Sequence, residues 1–176
     1  DSFGHEKFVL QAAREFPEVE FCHATGTLAH TENVANFHNA FASIYEGRYL
    51  AGVAAGMKLV EMENANQLKA ANYDADGNVK IGYVGAYPYA EVVSGYTSFF
   101  LGVRSVVDEE TDHSVVMEVT YTSSWFDESA ESEAADTLIE RGAALISQHA
   151  DSMGAPSACE AAGVPNVSYN GSTASD

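Results

Sequence analysis

The chain has 176 residues, 46% of them apolar, with 26 acidic against 8 basic side chains and a net charge of -18. That length suits one domain with a full core, burying about 70% of the surface the unfolded chain would expose. The charge excludes nucleic acid as a partner, because binding a polyanion requires lysines and arginines to release its counterions, and it repels anionic membrane surfaces. No run of 18 apolar residues is present, and Asp1-Ser2-Phe3-Gly4-His5 has neither a basic n-region nor an apolar h-region.

In chain order, residues 5–16 read as a helix at once, followed by Pro17 and a strand-like stretch at 19–24, which is the pattern of a chain entering mid-fold. Residues 32–58 read as one long helix, with Phe37, Phe41 and Ile44 at helical spacing and the small residues Gly47, Ala51, Gly52, Ala55 and Gly56 beyond them. Gly52 and Gly56 have the spacing of a membrane dimer motif, but Glu46 and Arg48 interrupt the apolar run, so close packing against a sheet is expected. Residues 60–80 form a polar surface connection whose turn, residues 74–78, needs positive φ at Gly77.

After that turn the pattern is regular. Strands are expected at 79–84, 114–122, 145–148 and 164–169, with helices at 89–106, 128–141 and 155–162 between them. Such alternation predicts an α/β fold, a parallel sheet with helices on both faces. Pro88 suits the first turn of its helix, Asp127 an N-cap, and Gly142 and Gly163 the left-handed residues that end helices. Cys22 and Cys159 lack any metal or redox spacing and read as buried small hydrophobes, with a disulfide left open.

In an open parallel sheet the ligand crevice lies beyond the carboxyl ends of the strands. The loops that follow the four strands are residues 85–88, 123–127, 148–152 and 169–172. They offer flat aromatic faces, a carboxylate, amides, hydroxyls and helix N-termini, a mixture suited to a planar small molecule with polar edges. Trp125, beside Phe126, is by default a packing residue and otherwise a stacking surface. Asp127 reads as a cap, whereas Asp151 precedes its helix by several residues and is free to accept ligand N–H groups. His149 and Asp151 alternate on an extended segment, which disfavours an acid–base pair. No nucleophile elbow, zinc-protease motif or phosphate loop occurs, residues 82–88 lack dinucleotide-binding spacing, and the six histidines are scattered. Neither a catalytic group, a metal nor a cofactor is predicted.

Several segments resemble one family in order along nearly the whole chain. They are Tyr45-Glu46-Gly47-Arg48-Tyr49-Leu50-Ala51-Gly52, Gly82-Tyr83-Val84-Gly85-Ala86-Tyr87-Pro88 leading into Glu91-Val92-Val93-Ser94-Gly95, and residues 99–105. Ser124-Trp125-Phe126-Asp127, Gln148-His149-Ala150-Asp151-Ser152 and Ala161-Ala162-Gly163-Val164-Pro165 complete the series. The chain resembles the basic-membrane-protein family, the purine-nucleoside-receptor-like substrate-binding lipoproteins of ABC transporters.

The resemblance implies a lobe of the type I periplasmic-binding-protein fold, with residues 1–30 a remnant of the first lobe and hinge and residues 31–176 most of the second. It implies a receptor outside the cytoplasmic membrane, held there by a lipid on a cysteine upstream of this chain, that delivers a purine-like ligand to an ABC permease. Trp125 or Phe126 would stack on the ligand ring and Asp151 would accept its N–H groups, with Tyr87 and Asn170 nearby. The chain departs from the family in its long connection at 61–78 and in Glu128, where proline is frequent. Two other classes compete: a Rossmann-like nucleoside-processing hydrolase acting through Asp151, and the effector-binding domain of a regulator.

Overall fold

The computed structural model describes residues 3–173. They fall into two compact units that divide between Ser43 and Ile44.

The first unit opens with a 3-10 turn, Phe3–His5, running into α1 (Glu6–Glu15). It continues through β1 (Phe21–Ala24), the single-turn α2 (Leu28–Thr31) and β2 (Phe37–Ala40). β1 and β2 pair in parallel, Phe21 opposite Phe37, and Phe37 packs with Leu10 and Ala13 of α1. Glu6, though buried, is satisfied: its Oε1 accepts the backbone N–H groups of Thr27 and Leu28 at the start of α2. This unit corrects the expected helix over 32–58. Phe37 belongs to a strand, Phe41 is exposed, and Asn33 takes φ 51°, so their helical spacing marks no common face. Pairing with β1 prevails over that local pattern. Cys22 is also corrected, being exposed on β1, and both cysteines are free thiols.

The second unit begins with α3 (Ile44–Asn64) and a 3-10 turn, Ala70–Asn72. β3 (Val79–Gly85), α4 (Ala90–Glu110), β4 (Val115–Tyr121), α5 (Glu128–Glu140), β5 (Ile146–His149), α6 (Gly154–Ala162) and the short β6 (Asn166–Val167) follow. All pairings are parallel, in the order β4-β3-β5-β6. Alternate residues of β3 serve opposite faces, as a strand covered on both sides requires. Val79, Ile81 and Tyr83 pack with Leu59 of α3 and Phe99, Val103 and Val107 of α4, while Val84 packs with Ala135 and Leu138 of α5 and Ala155 of α6. Each fully buried large side chain contributes roughly 1.5–3 kcal/mol.

The caps agree with the sequence. Asp127 accepts the Ala130 N–H at 3.0 Å, Gly142 and Gly163 take φ 93° and 68°, and Gly77 takes φ 85°. Three expectations are corrected. Pro88 lies before the N-cap, Tyr89, and not in the first helical turn. The last strand covers two residues instead of 164–169. Gly52 and Gly56 do give close packing, but against a helix: a Cβ on Gly52 would sit 2.1 Å from the Phe99 carbonyl oxygen of α4.

Candidate functional site

From β3 the chain moves outward to β4 on one side, and from β5 to β6 on the other. The loops leaving β3 and β5 therefore part from each other, and a crevice opens beyond the carboxyl ends of these two strands. The backbone keeps the mouth in register. Ala86 N–H donates to the His149 carbonyl at 3.0 Å, Ser123 N–H to the Ala86 carbonyl at 2.9 Å, and Asp151 N–H to the Trp125 carbonyl at 2.8 Å.

Five aromatic rings gather there. Tyr87 and Tyr89 stack at 4.9 Å and 14°, and both meet Trp125, at 5.5 and 6.2 Å. Trp125 in turn lies 6.5 Å from His149, which lies 4.2 Å from Tyr169. At the edge of this row Asn170 donates its amide N–H to Asp151 Oδ1 at 3.0 Å. Four of the five site residues expected from sequence, Tyr87, Trp125, Asp151 and Asn170, thus share one rim. Phe126 is 68% exposed and joins none of these ring contacts, which leaves Trp125 as the flat surface of its loop.

A buried polar layer supports the rim. Glu131 of α5 has no exposed surface; its two carboxylate oxygens accept the Ser152 N–H at 3.2 Å each, and Oε1 also accepts the Asp127 N–H at 3.3 Å. The Gln148 side-chain amide closes the same turn by donating to the carbonyls of Ala150, at 3.2 Å, and Ser152, at 3.0 Å. Asp151 is consequently presented on a clamped turn. Arg48, only 5% exposed, reaches up from α3 and donates through Nη2 to Tyr83 Oη at 2.9 Å, Ser147 Oγ at 2.6 Å and the Gln148 carbonyl at 3.2 Å. Its guanidinium lies over the rings of Tyr83, Phe99 and Tyr169 at 5.4, 5.3 and 5.8 Å.

Burial pushes the Tyr83 phenol up to about 12 against the opposing pull of Arg48. Burial likewise pushes Tyr169 up to about 12, helped by the carboxylates of Glu91 and Asp151 and opposed by Arg48. Both phenols remain neutral at physiological pH. Sequence reasoning missed Tyr89, His149, Tyr169 and Arg48 as parts of this constellation; the strand-end position of the first three was the available signal. Among the described residues no cluster of His, Cys, Asp and Glu could hold a metal ion, and no helix is long and apolar enough to cross a membrane. The arrangement provides flat apolar surface with one carboxylate–amide edge, and it aligns no nucleophile with a base.

The chain is similar to known proteins along most of its length. The chain is 37% identical over 154 residues to a purine-binding protein of Brucella abortus, a match covering 88% of the chain. It is 36% identical over 169 residues, 96% of its length, to a Haloferax volcanii protein named as an ABC transporter glucose-binding protein. In each case the match spans 37% of the relative's own length. Among solved structures, an ABC transporter solute-binding protein from Conexibacter woesei aligns at TM-score 0.52 and 25% identity, over 95% of this chain and 49% of its own. One from Aeropyrum pernix aligns at TM-score 0.73 and 18% identity, over 95% and 43%, and so shares the fold. The profile of the PnrA-like ABC transporter substrate-binding proteins matches residues 2–170, and the chain belongs to that family, Bmp.

Proposed function

We propose that this chain supplies one half of the ligand site of an extracytoplasmic, lipid-anchored receptor that closes two lobes on a purine nucleoside or nucleobase and hands it to an ABC permease. In this reading residues 1–30 belong to the first lobe and residues 31–176 to most of the second, with the unit from Ile44 onward as its body. The observation that carries it is the ring row of Tyr87, Trp125, His149 and Tyr169 at the sheet's switch point, with the carboxylate–amide pair of Asp151 and Asn170 tied to it by the Asp151 N–H to Trp125 carbonyl bond. A purine ring stacks on Trp125, and its N–H groups donate to Asp151. Phe126, outside the ring row, contributes at the outer edge. The purine-binding relative supports this ligand class.

Half a site binds weakly. A base–aromatic stack contributes about 1–3 kcal/mol and a hydrogen bond to a charged acceptor about 1.5–3, whereas micromolar affinity needs about 8 after association costs of about 4 or more. Calorimetry with adenosine is expected to give millimolar or undetectable binding to the 176-residue chain, and at least tenfold tighter binding to a protein carrying both lobes. Micromolar binding by this chain would overturn the two-lobe account. The glucose-binding relative favours a second reading, in which Trp125 stacks on a hexose and the Asp151–Asn170 edge takes its hydroxyls. Glucose titrated into the same two-lobed protein decides between them.

A further inference from the structure

His149 has no exposed surface, and neither of its ring nitrogens has a hydrogen-bond partner among the described residues. Leaving a buried polar group unpaired costs about 1–3 kcal/mol, which a phenylalanine at this place would not incur. The ring is flanked by several groups. Tyr169 lies against it at 4.2 Å and Trp125 at 6.5 Å, and Glu91 Oε1 of α4 faces Nε2 at 3.7 Å. Behind it, a Cβ on Gly95 of α4 would stand 2.8 Å from Nδ1, so the absence of a side chain at Gly95 makes the space that the ring occupies.

The backbone beneath these rings differs in kind. Tyr87, Tyr89, Trp125 and Tyr169 stand on irregular segments, whereas His149 closes β5, paired opposite Gly85 of the central strand β3. The side chains of Trp125 and Tyr169 are placed by the rings they meet, and both meet this imidazole, Tyr169 at 4.2 Å and Trp125 at 6.5 Å.

We propose that His149 is a positioning residue of the ligand site: from the end of β5 it sets the placement of the Trp125 and Tyr169 rings, within a slot opened by Gly95 and bounded by Glu91. This deepens the purine-receptor reading, on which its consequence for binding rests, but the positioning itself is measurable without a ligand. Trp125 is the only tryptophan of the chain, so its emission and its quenching by acrylamide report on one ring. His149→Ala is expected to raise the quenching constant about twofold and shift the emission to the red, and His149→Phe, which restores a ring, to return both to wild type.

Gly95→Ala, which meets the imidazole from α4, is expected to perturb Trp125 in the same way by displacing that ring. In the Gly95→Ala/His149→Ala double variant the two effects do not add, because the methyl group then has no ring to move. If His149→Ala fails to fold, Gly95→Ala alone carries the test. Unchanged quenching in folded His149→Ala or Gly95→Ala protein, or full additivity in the double variant, overturns the proposal. In the two-lobed receptor His149→Ala should weaken adenosine about tenfold and His149→Phe by less than about threefold. A wild-type receptor that ignores adenosine would refute the purine reading while leaving the Trp125 result to judge His149.

Discussion

Replacing Arg48 tests the energetics of the layer beneath the rim. Its guanidinium is buried, and among the described residues no carboxylate lies within ion-pair distance of it, so its charge is compensated by neutral groups alone. Taking the cation out of water costs several kcal/mol. Against this stand the two N–H groups of Nη2, shared among three acceptors and contributing about 1.5–3 kcal/mol each, and its approach to three rings, about 1–2 kcal/mol or more where desolvated. The two sides nearly cancel, and the outcome of a substitution is decided by what it leaves behind. Arg48→Ala leaves a cavity together with the buried hydroxyl of Tyr83, and about 3–5 kcal/mol of stability should be lost. Arg48→Met fills the volume and removes the desolvation cost, so the loss should fall to the price of the orphaned Tyr83 hydroxyl, about 1–3 kcal/mol. Arg48→Met/Tyr83→Phe removes that orphan and should return to within about 1 kcal/mol of wild type. Urea unfolding at neutral pH followed by Trp125 emission, which reports on the unit from Ile44 onward, measures all three. A double variant no more stable than Arg48→Met, or an alanine variant within about 1 kcal/mol of wild type, would refute this reasoning.

Tyr83 also predicts an alkaline limb of stability. Its folded value of about 12 stands above the ordinary 10.0, so the folded state holds the proton more tightly. That contribution is complete below pH 10 and is lost as pH rises toward 12; two units amount to about 2–3 kcal/mol, and unfolding free energies measured across this window should fall less steeply in Tyr83→Phe. Equal slopes in both proteins would count against it. A pair of glycine substitutions in α3 should move stability in opposite directions. Gly47→Ala, with nothing within 4 Å of the new methyl group, should gain about 0.5–1 kcal/mol of helix propensity. Gly52→Ala drives its Cβ to 2.1 Å from the Phe99 carbonyl oxygen and should lose about 1–3 kcal/mol or more, read as a lowered urea midpoint. A shift of the same sign for both would contradict the backbone contact between α3 and α4.

The alternation from β3 to α6 was legible because each element carries its own punctuation. Gly77 turns before β3, Asp127 caps α5, and Gly142 and Gly163 close α5 and α6. The shared rim of Tyr87, Trp125, Asp151 and Asn170 was legible because each lies in the loop that leaves the carboxyl end of a strand. Three things were not. Residues 37–40 carry a helical spacing of aromatics by coincidence with Phe41 and Ile44, and only pairing with β1 makes them a strand. Arg48 read as a charge interrupting a small-residue run on α3, because its acceptors stand 35, 99 and 100 residues further along the chain. Strand order was equally out of reach: local pattern predicts parallel strands but does not say that β3 and β5 are neighbours, and that neighbourhood places the crevice.

The loops of this crevice differ in how they are held, and the difference bears on what a half-site can do. Glu131 accepts N–H groups from both Asp127 and Ser152, tying the loop after β4 to the loop after β5, and the Asp151 N–H to Trp125 carbonyl bond ties them a second time. The backbones that carry Trp125 and Asp151 are therefore held relative to each other, which in the proposed function reduces the ordering cost of binding on this side. Asn170, by contrast, sits exposed at φ 55° beyond the two-residue β6 and reaches Asp151 through a single side-chain bond. A ligand N–H that takes the place of the Asn170 amide on Asp151 exchanges one hydrogen bond for another, so the edge can engage a ligand without leaving a carboxylate unpaired. Under the proposed function, two loops tied to each other with an exchangeable polar edge suit capture of a ligand followed by its release.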